Sequence, residues 1–216
     1  MIRTLMAAMV LGLVACGSPA SAQPGTDAES GTKNRLSIGL GQGTADGYAS
    51  TTVGAATYLA PTTTPETNVN AEYWRSLGDD YALALSGAYG FSSMNWKGAA
   101  SGDPEIEATG TSLKLRLGVD KIGNIGDRLQ FFMGPGVEYW TGDQKLDVGG
   151  AETESESVTR VGVSGRIGGF MMLSETVGIM GQVGHTFGAA SVDDAGAETS
   201  WWPSSFHASW GLAFGF

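Results

Sequence analysis

The chain has 216 residues, including 34 Gly and a single Cys, and 16% of its side chains are charged. One Cys excludes an internal disulfide scaffold. The 22 Asp plus Glu against 12 Lys plus Arg leave a net charge of −10, which excludes the basic footprint a nucleic-acid binder needs.

The first 22 residues have the layout of a bacterial export signal. Arg3 supplies the positive start, and Leu5 to Ala15 is a run of apolar residues and glycine too short to span a bilayer as a helix. Two cleavage readings compete. Ala20-Ser21-Ala22 offers small residues for ordinary signal peptidase, with Gln23 as the new N-terminus. Leu13-Val14-Ala15-Cys16 is a lipobox, in which Cys16 is lipidated and becomes the first residue. Both stay open, and either takes the chain out of the cytoplasm. Residues 23–33 read as a flexible N-terminal segment, and 34–216 as one β domain.

From residue 35 onward the pattern is alternation with period two, the signature of strands. Eight strands are predicted, over about 35–43, 68–77, 81–93, 106–120, 128–141, 157–172, 177–190 and 205–216. In the first, Leu36, Ile38 and Leu40 share a face. In the third, Leu83, Leu85 and Phe91 alternate with Ala82, Ala84 and Gly90. Pro135 interrupts the donor pattern of the fifth and predicts a bulge or a rim there. Connections alternate: short turns at 77–80, 121–127 and 173–176, long polar loops at 44–67, 94–105, 142–156 and 191–204. The segment 51–59 is the ambiguous one. Eight strands with a short β segment in the first loop is preferred, and ten strands is the alternative.

This predicts an all-β, closed antiparallel up-and-down transmembrane barrel, large apolar residues toward lipid and small or polar ones toward the lumen. Tyr73, Trp74, Tyr81, Tyr139, Trp140, Trp201, Trp202 and Trp210 fall near strand ends and are expected as interfacial girdles. The inner face holds Glu72, Lys114, Arg116, Glu138, Arg160 and Arg166, with Gln130, Gln182 and His207, and Asp120 as a further carboxylate. An eight-strand barrel is only wide enough for side chains to fill it. A salt-bridged plug is therefore expected, with a narrow ion path as the alternative. The loops are acidic, at Asp103 and Glu105, at Asp143, Asp147, Glu152, Glu154 and Glu156, and at Asp193, Asp194 and Glu198. They read as solvated, with cation bridging to lipopolysaccharide as the sharper alternative.

The final strand carries the most specific pattern: Trp210, Leu212, Phe214 and the terminal Phe216 on one face. With it, 34–216 resembles the family of small outer-membrane β-barrel proteins. That resemblance implies an outer-membrane location, contact with membrane lipid and lipopolysaccharide, and a C-terminus read by the barrel assembly machinery. It implies a structural or surface-interaction role, with a small pore or transport channel as the alternative. A soluble or lipid-tethered periplasmic β-barrel is the further alternative. Some lipid A deacylases of this broad class use a His-x-Ser pair, and His207-Ala208-Ser209 has that spacing, but parity turns both side chains inward. Two His are too few for a usual zinc site, and no cofactor is expected. The lipobox departs from typical members.

Mass spectrometry of the mature N-terminus separates the two cleavage readings. A diacylated Cys16 is the outcome of one and an unmodified Gln23 that of the other.

Overall fold

The structure, a computed structural model, describes residues 34–53, 56–78, 80–97, 105–125, 128–148, 151–154, 157–194 and 197–216. The export signal over 1–22, Cys16, the segment 23–33, Asp103 and Glu156 lie outside the described residues.

The chain forms strands β1 (Asn34–Val53), β2 (Ala56–Ser76), β3 (Tyr81–Lys97), β4 (Glu105–Ile125), β5 (Leu129–Val148), β6 (Ala151–Glu154), β7 (Val158–Met172), β8 (Val177–Asp194), β9 (Ala197–Trp201) and β10 (Ser204–Gly215). Eight of them are staves of one antiparallel ring. β10 pairs with β1 from Arg35↔Gly215 to Gly43↔His207, and with β8 from Ser204↔Phe187 to Phe214↔Val177, which closes the sheet. Asn34 and Phe216 exchange backbone hydrogen bonds at 3.2 and 3.1 Å, sealing the seam at its end. β6 and β9 are short return strands, paired only with the far ends of β5 and β8.

The turns at one end are tight. Leu77 N–H donates to Tyr81 at 2.8 Å, and Gly78 takes a φ of +108°, a left-handed conformation that a side chain would strain. At the β7–β8 turn, Ser174 Oγ accepts from the backbone N–H of Val177 at 3.1 Å. β4 continues to Ile125, so the expected turn at 121–127 is shorter than its sequence suggested.

The other end differs most from the sequence expectation. The segments 44–67, 94–105, 142–156 and 191–204 were expected as loops, and much of each is strand. β1 and β2 stay paired to Val53↔Ala56, so 51–53 and 56–59 are strand, not as an extra stave but as the far part of a hairpin longer than expected. β3 and β4 pair to Lys97↔Glu105, β4 and β5 to Ile106↔Val148, and β8 and β9 to Asp194↔Ala197. Threonine and alternating polar residues are compatible with strand geometry, and each of these segments finds a strand to pair with. A span needs about 9–11 residues. β4 has 21, so about half of it lies beyond the bilayer.

Pro135 produces no bulge. The β4–β5 ladder is interrupted there but resumes in unchanged register, Gly118↔Gly136 on one side and Lys121↔Met133 on the other. β5 keeps its other edge through Pro135↔Gly165, so losing one donor does not shift the strand.

Inside and outside follow the pleat. Ile38, Leu40, Val69, Leu117, Val137, Val163, Ile167, Val183, Phe206, Trp210 and Leu212 stand exposed on the outer wall. An apolar belt of this extent around a ring is incompatible with water and fits lipid. It gives way to Thr67, Ser93, Thr111, Thr141, Thr159 and Ser191 toward the hairpin end. Tyr81, Tyr139, Trp202 and Trp210 face outward as expected. Trp74 and Trp140 do not: both are buried in the lumen, at 2% and 1% exposure. Strand parity puts them there, overriding the aromatic preference for an interface.

Placing a charge on the belt tests its level. Leu117→Arg is expected to cost about 2–4 kcal/mol near the bilayer midplane. Thr111→Arg, two pleats beyond Leu115, is expected to cost about 0–1 kcal/mol. Urea unfolding in lipid vesicles reads both.

Candidate functional site in the lumen

The lumen is filled in three layers. At the turn end, Trp74, Phe132, Phe170 and Met180 pack with Ala82, Ala84 and Ala213. The rings meet in tilted and edge-on arrangements, Trp74–Phe170 with centroids 5.0 Å apart and Phe132–Phe170 also at 5.0 Å. This apolar floor closes the barrel. Arg35 lies over Phe170 at 4.8 Å, with Nε and Nη1 buried and without a hydrogen-bond partner.

Above the floor sits a charged layer whose hub is Arg166 of β7. Its Nη2 donates to Asp120 Oδ2 at 2.5 Å and its Nε to Asp120 Oδ1 at 3.2 Å, a two-pronged pairing with β4. Nη1 donates to Glu72 on β2 and to Gln182 Oε1 on β8 at 3.0 Å. Gln182 donates in turn to Glu72 and to Ser209 Oγ on β10 at 3.0 Å. Trp74 Nε1 donates to Asp120 Oδ2 at 3.0 Å, tying the floor to this layer. The Arg166 guanidinium also lies 5.2 Å from the Trp74 and Phe132 rings, whose faces favour a cation. One side chain thus cross-links strands on opposite walls.

Further toward the hairpin end, Arg160 Nη2 donates to Glu138 Oε1 at 3.0 Å and Thr186 Oγ1 to Glu138 Oε2 at 3.0 Å. Lys114 donates to Glu66 Oε1 at 2.6 Å, and Ser112 to Glu66 Oε2. Arg116 donates through Nε to Ser164 Oγ at 3.0 Å and through Nη2 to Gly134 O at 3.3 Å, and comes only within 3.7 Å of Asp120. Gly118 and Gly136 make the seat: a Cβ at either would stand 2.8 Å from the guanidinium carbon. Trp140, Val158, Ala190 and Val192 cap this side with Trp201.

All six sequence-predicted lumenal residues, Glu72, Lys114, Arg116, Glu138, Arg160 and Arg166, therefore lie inside, and five enter direct charge pairs of 3.0 Å or less. Sequence reasoning missed Arg35 and Glu66. Both lie on inward parity, but Arg35 stands at the edge of the predicted first strand and Glu66 fell in a segment expected to be loop. Gln130 is half-buried, and its Oε1 has no partner. His207 and Ser209 line a cavity of about 50 Å³ with Asn68, Asn70, Lys114, Arg116 and Glu138. That location is away from lipid, where a lipid-modifying pair would have to act. Among the described residues no group of three or more His, Cys, Asp and Glu is placed to hold a metal ion.

The acidic residues expected in loops are mostly on strands. Asp143 and Asp147 lie on β5, and Asp143 accepts from Ser157 Oγ. Glu152 and Glu154 form β6, Asp193 and Asp194 end β8, Glu198 is in β9, and Glu105 opens β4.

No protein-family model matches the chain, and no curated protein sequence does. Solved structures do. The outer membrane protein OprG from Pseudomonas aeruginosa is 18% identical, with 87% of this chain and 98% of that one covered and a TM-score of 0.50. Ail, the attachment invasion locus protein of Yersinia pestis, is 13% identical over 85% and 97%, with a TM-score of 0.49. Neisserial surface protein A is 9% identical over 85% and 97%, with a TM-score of 0.44. At such identities the likeness concerns the fold. The closed ring, its outward apolar belt and the likeness to OprG make this a small outer-membrane β-barrel fold.

Arg166→Met removes the hub and leaves Glu72 and Asp120 buried without their cation, an expected loss of about 3–5 kcal/mol. Arg35→Met, which strands no carboxylate, is expected to leave stability unchanged or raise it. Denaturant unfolding of the detergent-folded variants measures both.

Proposed function

We propose that the chain is a structural or surface-interaction barrel of the outer membrane, its lumenal charges serving to hold the walls together. The observation that carries this is the combination of a blocked lumen with paired strands that run on past the apolar belt. An apolar floor of three packed rings fills the lumen at the turn end, and Arg166 binds across the middle. What remains available to a partner is the hairpin end. There β1 beyond Gly43 and β2 before Glu66 pair only with each other, leaving a two-stranded ribbon with open edges.

In this reading the short turns and both chain ends face the periplasm, and the ribbons face outward. Trp210, Leu212, Phe214 and Phe216, exposed in a row on the outer wall, suit recognition by the barrel assembly machinery and then contact with membrane lipid. Acidic strand ends facing lipopolysaccharide suit bridging by divalent cations. Cys16, where lipidated, adds a periplasmic anchor. A soluble periplasmic barrel does not accommodate the outward apolar belt.

Planar-bilayer recording decides against the pore alternative: purified protein is expected to give no discrete conductance steps. Deleting 48–63, the tip of the first hairpin, is expected to keep heat-modifiable gel migration and outer-membrane fractionation while removing surface binding. Stable ion steps from the wild-type protein would overturn the proposal.

A further inference from the structure

The charges inside the barrel do not balance locally. Among the described lumenal residues, Arg35, Lys114, Arg116, Arg160 and Arg166 face Glu66, Glu72, Asp120 and Glu138. Lys114 takes Glu66, Arg160 takes Glu138, and Arg166 takes both Glu72 and Asp120. That leaves Arg35, which lies over the Phe170 ring with no ion pair to the described carboxylates, and Arg116, whose one ion pair is the 3.7 Å approach to Asp120, whose two oxygens already accept from Arg166 and Trp74. Yet Arg116 is 4% exposed, and its Nη1 is buried with no hydrogen-bond partner. A buried cation without a matched anion is a strongly unfavourable arrangement.

Arg116 lines the cavity of about 50 Å³. Lys114, two residues along the same face of β4, lines it too and is 14% exposed. Both lining carboxylates are occupied elsewhere: Glu72 accepts from Arg166 and Gln182, and Glu138 from Arg160 and Thr186. We propose that this cavity is a binding site for a small monovalent anion of the halide class, held by Arg116 with Lys114 as the second cation. A site for one water needs roughly 10–15 Å³, so the volume takes one such ion and one or two waters. The remaining unpartnered group on the wall, Asn70 Oδ1, is an acceptor. A water between it and the ion satisfies both by donating one hydrogen to each.

The charge count supplies the chemistry, and the cavity supplies the size. The site is independent of whether the barrel conducts, since the floor of aromatic rings lies below it.

Chlorine NMR linewidths of sodium chloride with the detergent-folded full chain test this. Wild-type protein is expected to broaden the resonance above a detergent blank, and bromide to compete the broadening away. Arg116→Gln is expected to return the linewidth to the blank, whereas Lys121→Gln, exposed on the outer wall, keeps the wild-type value. No broadening by wild type, or equal broadening by Arg116→Gln that migrates as a folded barrel, overturns the proposal. Should Arg116→Gln not fold, crystals of the wild-type protein grown in bromide decide. An anomalous peak beside Arg116 Nη1 supports the site, and a map without one there overturns it.

Discussion

A strand in hydrocarbon has no water to satisfy its backbone, so each N–H and C=O must find a partner within the chain. In this protein the requirement is met at one seam, where β10 pairs with β1 on one edge and β8 on the other. Everything else follows from that closure. A ring has no free edge within the membrane, and the pleat then assigns each residue to lipid or lumen. Gly211 approaches the β1 backbone so closely that a Cβ there would stand 2.6 Å from the Gly39 Cα, so the seam depends on small residues.

A ring of eight strands leaves an interior that side chains fill, and this one fills it unevenly. The turn end is apolar and the middle is charged, with the indole of Trp74 reaching from one layer to the other through Asp120. Burying so many ions carries a large desolvation cost, offset only where each lone pair and proton is matched. Arg166 meets that condition with Glu72, Asp120 and Gln182. Its partners come from strands far apart in sequence, so the layer forms only when the ring closes. Matching is incomplete around Arg116, and that local imbalance gives the lumen a chemistry beyond structural filling.

The strands outlast the membrane. Above the belt the ladders continue with Thr and Ser replacing Leu and Val on the outer face, and the ribbons part from their neighbours. β2 leaves β3 beyond Glu66↔Ser92, while β4 and β5 remain paired to Ile106↔Val148. The surface offered outward is therefore made of paired backbone with exposed edges, which suits strand addition by an extended partner.

The sequence by itself determined the class of fold, the eight staves, the in-and-out alternation and the six charges expected inside. All of these rest on a period of two and on local composition, which a linear reading can see. It also contained the true places of Trp74 and Trp140, because their parity is inward, although their residue type suggested an interface. The tertiary structure alone decided the rest. Polar segments around 44–67 and 142–156 became strand because each found a partner to pair with, and no hydropathy signal records a partner. Pro135 left the register intact because Gly165 holds the other edge of β5. Which carboxylate each arginine takes, and that Arg116 reaches Asp120 only at 3.7 Å, depends on residues brought together only across the closed ring.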